Sequence, residues 1–422
     1  MRGIALLALI SVSLIDLSPR TVCRASPDLS LPPGFCATVF ADGVGRARHI
    51  AVSPSGDLFV QLWAFDEGPP RGSVVALRDT DRDGRSDREL RFGERGGDDI
   101  EWHRGYLYAS TSDSIIRYKL PSGSLRPVGD AEVVVKDIPT FDITEHNSHT
   151  FTFIGDRVLV HLGAPSNACQ QKNRAIHSPG IDPCPLVDST AGVWQFEGAV
   201  VGQPFSGGKK IVSGLRHTMG MSTTESGDSL AIVHGRDELH TNWPEMFSEL
   251  QGADLPADEL VELKSGNNFG WPYCFYDPQK QMRIQAPEYG GDGNESTRCP
   301  SYTQPLLAIP AHSAPNDLLL YTGSQFPSKY RGAAFIALHG GWGRTPFVQN
   351  GYKVVYIPFK NGRPTGEIET FADGFAGIPE VTNPSQARFR PVGLAQAPDG
   401  SVFIADSRKG RIWKVTFTDS TQ

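Results

Sequence analysis

Histidines and arginines recur beside one repeated pattern in this chain, which consists of an apolar strand, a tight Gly or Asp turn and a second, alternating strand. They precede or follow four copies of the pattern, as His146, His149, Arg216, His217, His234, Arg236, His339, Arg344, Arg388 and Arg390. Basic groups that converge from several repeats repel one another unless an anion lies between them. Because the planar guanidinium suits carboxylates and a neutral imidazole can act as a base, these positions predict a polyanion site with a general base.

A second candidate is a group of four aspartates around Gly84, at Asp79, Asp81, Asp83 and Asp87. Carboxylates at alternate positions around a glycine resemble a calcium loop, although Leu90 stands where an acidic ligand would complete it. Two interpretations stay open at this point, a structural calcium site and a solvated turn.

The elements that must position the histidines and arginines are the repeated hairpins. The pattern occurs six times, at 49–60, 99–110, 149–163, 219–235, 318–340 and 391–406. The turn glycines Gly56, Gly105 and Gly155 are 49 and 50 residues apart, about the length of a four-stranded blade. Stacking such blades around an axis buries the apolar face that each exposes. We therefore predict an all-β, six-bladed β-propeller of four-stranded antiparallel blades, because a pair of sandwiched sheets gives no reason for so constant a hairpin.

Composition agrees with many short strands, since 422 residues include 45 Gly and 32 Pro. The net charge of −7, without a long Lys or Arg run, argues against nucleic acid as a partner.

Arg2 precedes an apolar stretch at 4–15 that is too short to span a bilayer, and no later stretch approaches a membrane span. This start predicts a signal peptide over 1–25, with a buried first helix as the alternative, and a single propeller domain over 26–422 that is secreted or periplasmic.

Export permits disulfide bonds. Cys23 would leave with the signal peptide. Cys169 with Cys184 and Cys274 with Cys299 each close a local loop, so these are the preferred pairs, and Cys36 is left over. Two long insertions, at 164–193 and 239–311, carry these four cysteines, and loops of this kind gather at the end of a propeller where ligands bind. The chain has no nucleotide-binding glycine motif, no CxxCH haem attachment site and no GxSxG hydrolase motif.

Several segments resemble the quinoprotein glucose/sorbosone dehydrogenases, and the sorbosone dehydrogenase branch more closely. They are GLRHTMGM at 214–221, the stretch from GRDEL to NNFGWPYC at 235–274, HSAPND through HGGWGR at 312–344, RPVGLAQAPDGSVFIAD at 390–406 and, more weakly, HNSHTFTF at 146–153. The match runs from about 31 to 415. It implies a six-bladed propeller that binds pyrroloquinoline quinone (PQQ) and Ca²⁺. It also implies oxidation of a sugar, alcohol or aldehyde, with electrons passed to an external acceptor such as a soluble cytochrome or a quinone.

The resemblance also assigns roles by position. His146 matches the general base, which takes the proton of the substrate hydroxyl while hydride moves to the quinone. The positions that match the cofactor-binding segments are Arg216, His217, Arg344 and Arg390. The backbone carbonyls of Gly235 and Arg236 match the calcium-binding segment.

The chain departs from the family pattern at four places. His149 stands where the sorbosone branch often has Arg, His217 stands where Asn is usual, HGGWGR replaces HGSWNR, and 239–253 is an insertion. These changes keep a second interpretation open, a non-catalytic propeller that serves as a binding or scaffold module. A calcium-dependent lactonase-type propeller needs a central ring of Asn, Asp and Glu, whereas the groups here are mainly His and Arg.

Overall fold

The computed structural model describes residues 25–63, 72–141, 145–224, 226–294 and 297–418. The predicted signal peptide therefore lies outside the described residues, apart from Ala25. The described part forms six sheets with four antiparallel main strands each, arranged as the blades of a propeller. The predicted architecture is confirmed.

The strands of the first three blades follow one another along the chain after β1 (Phe35–Ala41). Blade 1 contains β2 (Ala47–Val52), β3 (Leu58–Leu62), β4 (Val74–Arg78) and β5 (Arg88–Phe92). Blade 2 contains β6 (Ile100–His103), β7 (Tyr106–Ser110), β8 (Ile115–Lys119) and β9 (Glu132–Lys136). Blade 3 contains β10 (Phe151–Ile154), β11 (Arg157–Leu162), β12 (Gly192–Glu197) and β14 (Lys209–Ser213), while β13 (Gln203–Pro204) joins blade 2 beside β9.

The remaining blades complete the ring. Blade 4 contains β15 (Thr218–Thr223), β16 (Ser229–Val233), β17 (Asp258–Glu262) and β20 (Leu307–Ile309), and a separate hairpin pairs β18 (Cys274–Asp277) with β19 (Met282–Gln285). Blade 5 contains β21 (Pro315–Leu320), β22 (Ala334–Leu338), β23 (Lys353–Ile357) and β26 (Glu369–Ala372), and a short hairpin pairs β24 (Phe359–Lys360) with β25 (Arg363–Pro364). Blade 6 contains β27 (Pro391–Gln396), β28 (Val402–Asp406), β29 (Ile412–Phe417) and, beside β29, the N-terminal strand β1. This pairing of the two ends of the chain closes the propeller.

The described residues contain three short α-helices, all in the two insertions: α1 (Leu186–Ser189), α2 (Leu239–Asn242) and α3 (Glu249–Asp254). Single 3₁₀ turns occur at Phe205–Gly207, Pro287–Tyr289, Cys299–Ser301, Ser328–Tyr330 and Pro384–Gln386. No helix of the described residues is long and apolar enough to cross a membrane.

Apolar clusters fill the interfaces between neighbouring blades. Phe59 packs with Leu107 between blades 1 and 2, and Phe335 lies in one cluster with Trp413 between blades 5 and 6. The second strands β3, β16, β22 and β28 are buried along their whole length, because each blade is covered on both faces by its neighbours. Stacking of apolar blade faces is therefore the source of the core, as the repeat pattern predicts.

The two insertions pack against each other around their disulfide bonds. The structure contains the predicted disulfides Cys169–Cys184 and Cys274–Cys299, and Cys36 is also disulfide-bonded. Both predicted disulfides lie in one buried cluster with Trp271 and other aromatic residues. The insertion of blade 3 thus packs against the insertion of blade 4, above the ends of their strands.

Candidate functional site

The antiparallel register brings the predicted site residues to one end of the propeller. Residues just before each inner strand lie beside residues just after the second strand of the same blade. The amide of His234 donates to the carbonyl of His217, and the amide of Ser407 donates to the carbonyl of Arg390. We call this end, where the inner strands begin, the mouth. Groups that are far apart in sequence meet there because every blade repeats the same register.

His146 has a buried, oriented imidazole at the mouth. Its Nδ1 lies 2.8 Å from the carbonyl oxygen of Ala164, which can only accept a hydrogen bond. Nδ1 therefore carries the proton, and Nε2 keeps its lone pair. Burial and the charge of Arg216 hold the pKa of His146 well below its usual value, so the ring is neutral. Gly163 permits this approach, since a Cβ there would lie 2.1 Å from the His146 carbonyl oxygen.

Two further imidazoles continue from His146 across the mouth. The ring centroid of His217 is 5.0 Å from that of His146 and 4.7 Å from that of His234. His234 Nε2 donates to the carbonyl of Pro315 over 3.0 Å, and Ser148 Oγ lies 3.2 Å from His217 Nδ1. Burial, with the nearby histidines, lowers the pKa of His217 well below its usual value, and burial lowers that of His234 to about 4. The row is therefore uncharged at neutral pH.

Arg216 is the buried cation of the mouth. Its Nη1 donates to Asn167 Oδ1 over 2.8 Å and to Asp237 Oδ2 over 3.1 Å, and its Nη2 donates to the carbonyl of Gly235. Its Nε is buried and has no hydrogen-bond partner. Burial acts to raise the pKa of Asp237, but Arg216, His312 and Arg174 together outweigh it and hold the value well below the usual range. Arg216 and Asp237 are therefore an ion pair in which the Arg216 Nε is left without a partner.

Asn167 holds this ion pair in place, and sequence reasoning missed it. Its Oδ1 also accepts from the amide of Asp237 over 3.0 Å, and its Nδ2 donates to the carbonyl of Asp237 over 2.9 Å. Its own carbonyl accepts from Trp271 Nε1 over 2.9 Å. The only available signal was its position two residues before Cys169 in a disulfide-closed loop at the predicted ligand end. The insertion of blade 3 thus supplies a positioning residue to blade 4.

The segment predicted to bind calcium is held by a buried carboxyl group. The amide of Gly235 donates to Asp258 Oδ1 over 2.9 Å, and the amide of Ala314 donates to Asp258 Oδ2 over 3.1 Å. Burial raises the pKa of Asp258 to about 7. The side chain of Arg236 forms a buried ion pair with Glu288, so this residue offers only its backbone to the site.

The remaining predicted residues, Arg390, Arg344 and His149, lie in three different places. Arg390 lies at the mouth, where its Nε donates to the carbonyl of His339 over 3.2 Å. Arg344 instead contacts the insertion of blade 4, where its Nη1 donates to the carbonyl of Ala253 over 2.7 Å and to Asp254 Oδ1 over 2.5 Å. His149 is buried below the mouth and its Nε2 donates to the carbonyl of Ser112 over 2.9 Å.

The acidic loop lies away from the mouth, at the β4–β5 turn of blade 1. Carboxylate oxygens of Asp79, Asp81 and Asp83 lie within 4.8 Å of one another. Asp87 does not join them, because its carboxylate accepts hydrogen bonds from the amide and the hydroxyl of Thr80. The structure therefore brings together three of the four predicted ligands.

Comparisons with known proteins point to one family. The family model described as TrAA12-like matches residues 29–418. A PQQ-dependent pyranose dehydrogenase of Coprinopsis cinerea is 24% identical over 233 residues, which are 49% of this chain and 31% of that protein. A PQQ-dependent sugar dehydrogenase of Hypocrea jecorina is 22% identical over 226 residues, which are 50% of this chain and 49% of that protein. The chain thus spans half or less of the length of these curated relatives.

Solved structures share the fold over almost the whole chain. The calcium structure of a Trichoderma reesei family AA12 carbohydrate-active enzyme is 19% identical, covers 95% of this chain and all of its own, and has a TM-score of 0.74. The holo form of the Coprinopsis cinerea pyranose dehydrogenase PQQ domain is 17% identical, covers 93% of this chain and 99% of its own, and has a TM-score of 0.71.

Proposed function

The chain belongs to the TrAA12-like family, and from this premise we propose that it is a PQQ- and Ca²⁺-dependent oxidoreductase of sugars or related alcohols and aldehydes. The observation that carries the proposal is the neutral His146 with a free Nε2 beside the buried Arg216 network. A base and a fixed cation at one ligand-accessible end are what oxidation of an alcohol by an anionic quinone requires. The names of the relatives from Coprinopsis and Hypocrea supply the cofactor and substrate class.

The residues of the mouth fit an anionic cofactor. Arg216 retains a buried Nε–H without a partner, and a buried donor left unsatisfied favours a ligand that accepts from it. Arg390 is held by carbonyl oxygens rather than carboxylates, so its charge is not cancelled by its neighbours. We propose that Arg216, His217 and Arg390 hold the cofactor, with Arg344 as a further contact from the insertion of blade 4.

The oxygens near Gly235 fit a calcium ion. Calcium binds carbonyl and carboxylate oxygens, and we propose the carbonyls of Gly235 and Arg236 as its protein ligands. The Gly235 oxygen already accepts from Arg216, but a carbonyl oxygen has two lone pairs and can serve both. Asp237 adds a nearby negative charge that favours a cation at this place.

In the proposed reaction the cofactor takes the hydride from the substrate and the protein takes the proton. When bound, the quinone supplies a carbonyl carbon that accepts the hydride, with its electron pair, from the substrate carbon. His146 Nε2 takes the hydroxyl proton, so the substrate becomes a carbonyl compound. The low pKa of His146 keeps the base unprotonated before the reaction, and Asp237 offsets the positive charge that the imidazole gains. Turnover would also need an external electron acceptor, such as a soluble cytochrome or a quinone, to take the two electrons removed from the substrate.

Reconstitution tests the proposal directly. The purified protein would be incubated with PQQ and Ca²⁺, and the cofactor absorption followed with a panel of sugars and a dye acceptor. We expect His146→Ala to keep cofactor affinity and to lose about 10²- to 10⁴-fold in rate. His177→Ala removes an exposed histidine paired with Glu245 and serves as the matched control. Absence of PQQ binding at micromolar concentration would refute the enzyme proposal, and PQQ binding without turnover would favour the binding module.

Two proposals concern the rest of the chain. Disulfide bonds are typical of oxidising compartments, so we propose that residues 26–422 function as one propeller domain in a secreted or periplasmic protein. We further propose that Asp79, Asp81 and Asp83 bind a structural calcium ion. In that case Asp79→Asn should reduce the rise in melting temperature that Ca²⁺ causes and should leave PQQ affinity unchanged. An equal rise in the variant and the wild type would contradict calcium binding at this loop.

A further inference from the structure

A wide cleft opens between blades 6 and 1 at the end of the propeller opposite the mouth. Its volume is about 1140 Å³. The β2–β3 turn at 54–57 and the β27–β28 turn at 397–399 line it, and the inner strands β2 and β27 end at these turns. The mouth lies where the inner strands begin, so the two sites are at opposite ends. We call this one the closure cleft, because it adjoins the paired strands β1 and β29 that close the ring.

The wall of the closure cleft on blade 6 is polar. Thr38 of β1 is opposite Lys414 of β29, and Lys414 is opposite Phe403 of β28, so these residues form one row across the sheet. Thr416 lies two residues further along β29 and therefore on the same face. Between blades 5 and 6, by contrast, the outermost strand β26 contributes Phe371 to a buried aromatic cluster. The strand pattern thus fills that interface with rings and leaves the one between blades 6 and 1 open to a polar ligand.

The charges that line the closure cleft cancel. Three carboxylates and three cations lie along it: Asp57, Asp79, Asp399, Arg78, Arg82 and Lys414. A calcium ion on the acidic loop would be offset by Asp81 and Asp83, which do not line the cleft, so the balance would be kept. The cleft therefore favours neither an anion nor a cation, whereas the fixed cations of the mouth favour an anion.

Two ion pairs hold hydrogen-bond donors in place at the closure cleft. Arg78 donates from Nε to Asp57 Oδ1 over 2.5 Å and from Nη2 to Asp57 Oδ2 over 2.8 Å. Among the described residues its hydrogen bonds use only Nε and Nη2, so the two N–H groups of Nη1 can donate to a ligand. Lys414 donates from Nζ to Asp399 Oδ2 over 3.0 Å and keeps two further N–H donors. Both cations are thus oriented and neutralised, yet still able to donate.

We propose that the closure cleft binds a neutral saccharide chain. A sugar ring carries hydroxyl groups around its edge and C–H groups on its faces. The cleft offers N–H donors from Arg78 and Lys414, hydroxyl groups from Thr38 and Thr416, and the partly exposed ring of Phe417. Donors held by ion pairs lose little freedom when a ligand arrives.

The size and the place of the cleft indicate a chain rather than a single sugar. Pockets for small ligands have volumes of about 300 to 1,000 Å³, and the closure cleft exceeds this range. A saccharide held at the end opposite the mouth would leave the mouth free. The site would therefore keep the protein on polymeric carbohydrate, and this role does not depend on the proposed oxidation.

Calorimetry on the whole protein in Ca²⁺ tests the assignment with cellohexaose, maltohexaose and chitohexaose as neutral probes. Lys414→Ala removes a donor at a partly exposed ion pair, and Thr416→Trp fills the cleft. Lys329→Ala, at an exposed lysine near Glu369 on blade 5, is the matched control. We expect at least one probe to bind the wild type and the control equally, and to bind about fivefold more weakly to Lys414→Ala and at least tenfold more weakly to Thr416→Trp. Absence of binding by all three probes at millimolar concentration would overturn the assignment.

Three other results would also overturn it. Wild-type affinity in both cleft variants, or competition by PQQ, would place the saccharide elsewhere, such as at the mouth. Tighter binding of hexagalacturonate than of the neutral probes, with affinity lost at high salt, would show a site for anions instead. Melting temperatures establish that each variant is folded. If Thr416→Trp is destabilised, Lys414→Ala decides, because its side chain is 22% exposed and its partner Asp399 is 51% exposed.

Discussion

A buried charge cluster on the propeller axis should make the stability of the protein fall in mildly alkaline solution. His49 Nδ1 donates to Asp99 Oδ1 over 2.7 Å, and its Nε2 donates to the carbonyl of Asn316 over 2.7 Å. Asp317 lies 4.0 Å away. Burial acts to lower the pKa of His49, but Asp317 and Asp99 outweigh it and raise the value to about 9, from 6.5 in the unfolded chain. Both ring nitrogens therefore donate, and the folded state holds the proton more tightly.

The sign and size of the effect follow from this difference. A raised histidine pKa stabilises the fold fully below pH 6.5, and the contribution disappears as the pH rises through 9. At about 1.4 kcal/mol for each pH unit, the whole contribution is about 3 kcal/mol. The pKa of Asp317 is raised to about 6, mainly by burial, so most of its own titration lies below this window. Burial lowers the pKa of Lys210 to about 8, which acts in the opposite direction but equally in wild type and variants.

Chemical denaturation at pH 6.5 and pH 9 would measure the effect. The double variant His49→Gln with Asp317→Asn removes the histidine and its coupled carboxyl group, so its free energy of unfolding should lose about 3 kcal/mol less than that of the wild type over this interval. His177→Gln, at an exposed histidine, should follow the wild type. An equal fall in the double variant and the wild type would refute the role of His49.

Three further predictions concern the insertions. Removing the Cys169–Cys184 bond, which closes a loop of 15 residues, should cost about 3 kcal/mol of stability in denaturant unfolding, and no change would contradict it. Asn167→Ala removes three hydrogen bonds around the buried ion pair and should weaken PQQ binding by about tenfold in calorimetry, whereas wild-type affinity would remove it as a positioning residue. Arg283→Met leaves Glu259 buried and unpaired and should destabilise the protein by about 3 to 5 kcal/mol in denaturant unfolding. The double variant Arg283→Met with Glu259→Gln should lose less, and an equal or larger loss in the double variant would contradict the cost of an unpaired buried charge.

The sequence allowed the fold and the meeting of the main site residues to be predicted for one physical reason. A repeated hairpin has a fixed register, so residues that precede an inner strand and residues that follow the second strand must share one end of the propeller. His146, Arg216 and Arg390 could therefore be assigned to one mouth from their places in the repeats. The disulfide pairs were also predictable, because each closes a local loop.

Other features depend on contacts that no local pattern encodes. Arg344 lies in a conspicuous motif, but its guanidinium contacts Asp254 because the inserted helix α3 packs beside it. Arg46 and Arg408 are single basic residues on loops, which in a sequence look the same as solvated ones. They meet only because pairing of β1 with β29 closes the ring and sets blade 6 beside blade 1.

The two charged regions of the propeller differ in how their charge is balanced, and this difference supports the assignment of the ligand site. On the axis, the cation of His49 lies beside Asp99 and Asp317, so the protein supplies its own counterions. At the mouth, by contrast, Arg390 and the neighbouring Arg408 are oriented by carbonyl oxygens. Orienting charged groups before a ligand arrives lowers the cost of binding, because little reorganisation remains. A region whose cations are oriented by neutral acceptors is therefore where an anionic ligand gains most from this fold.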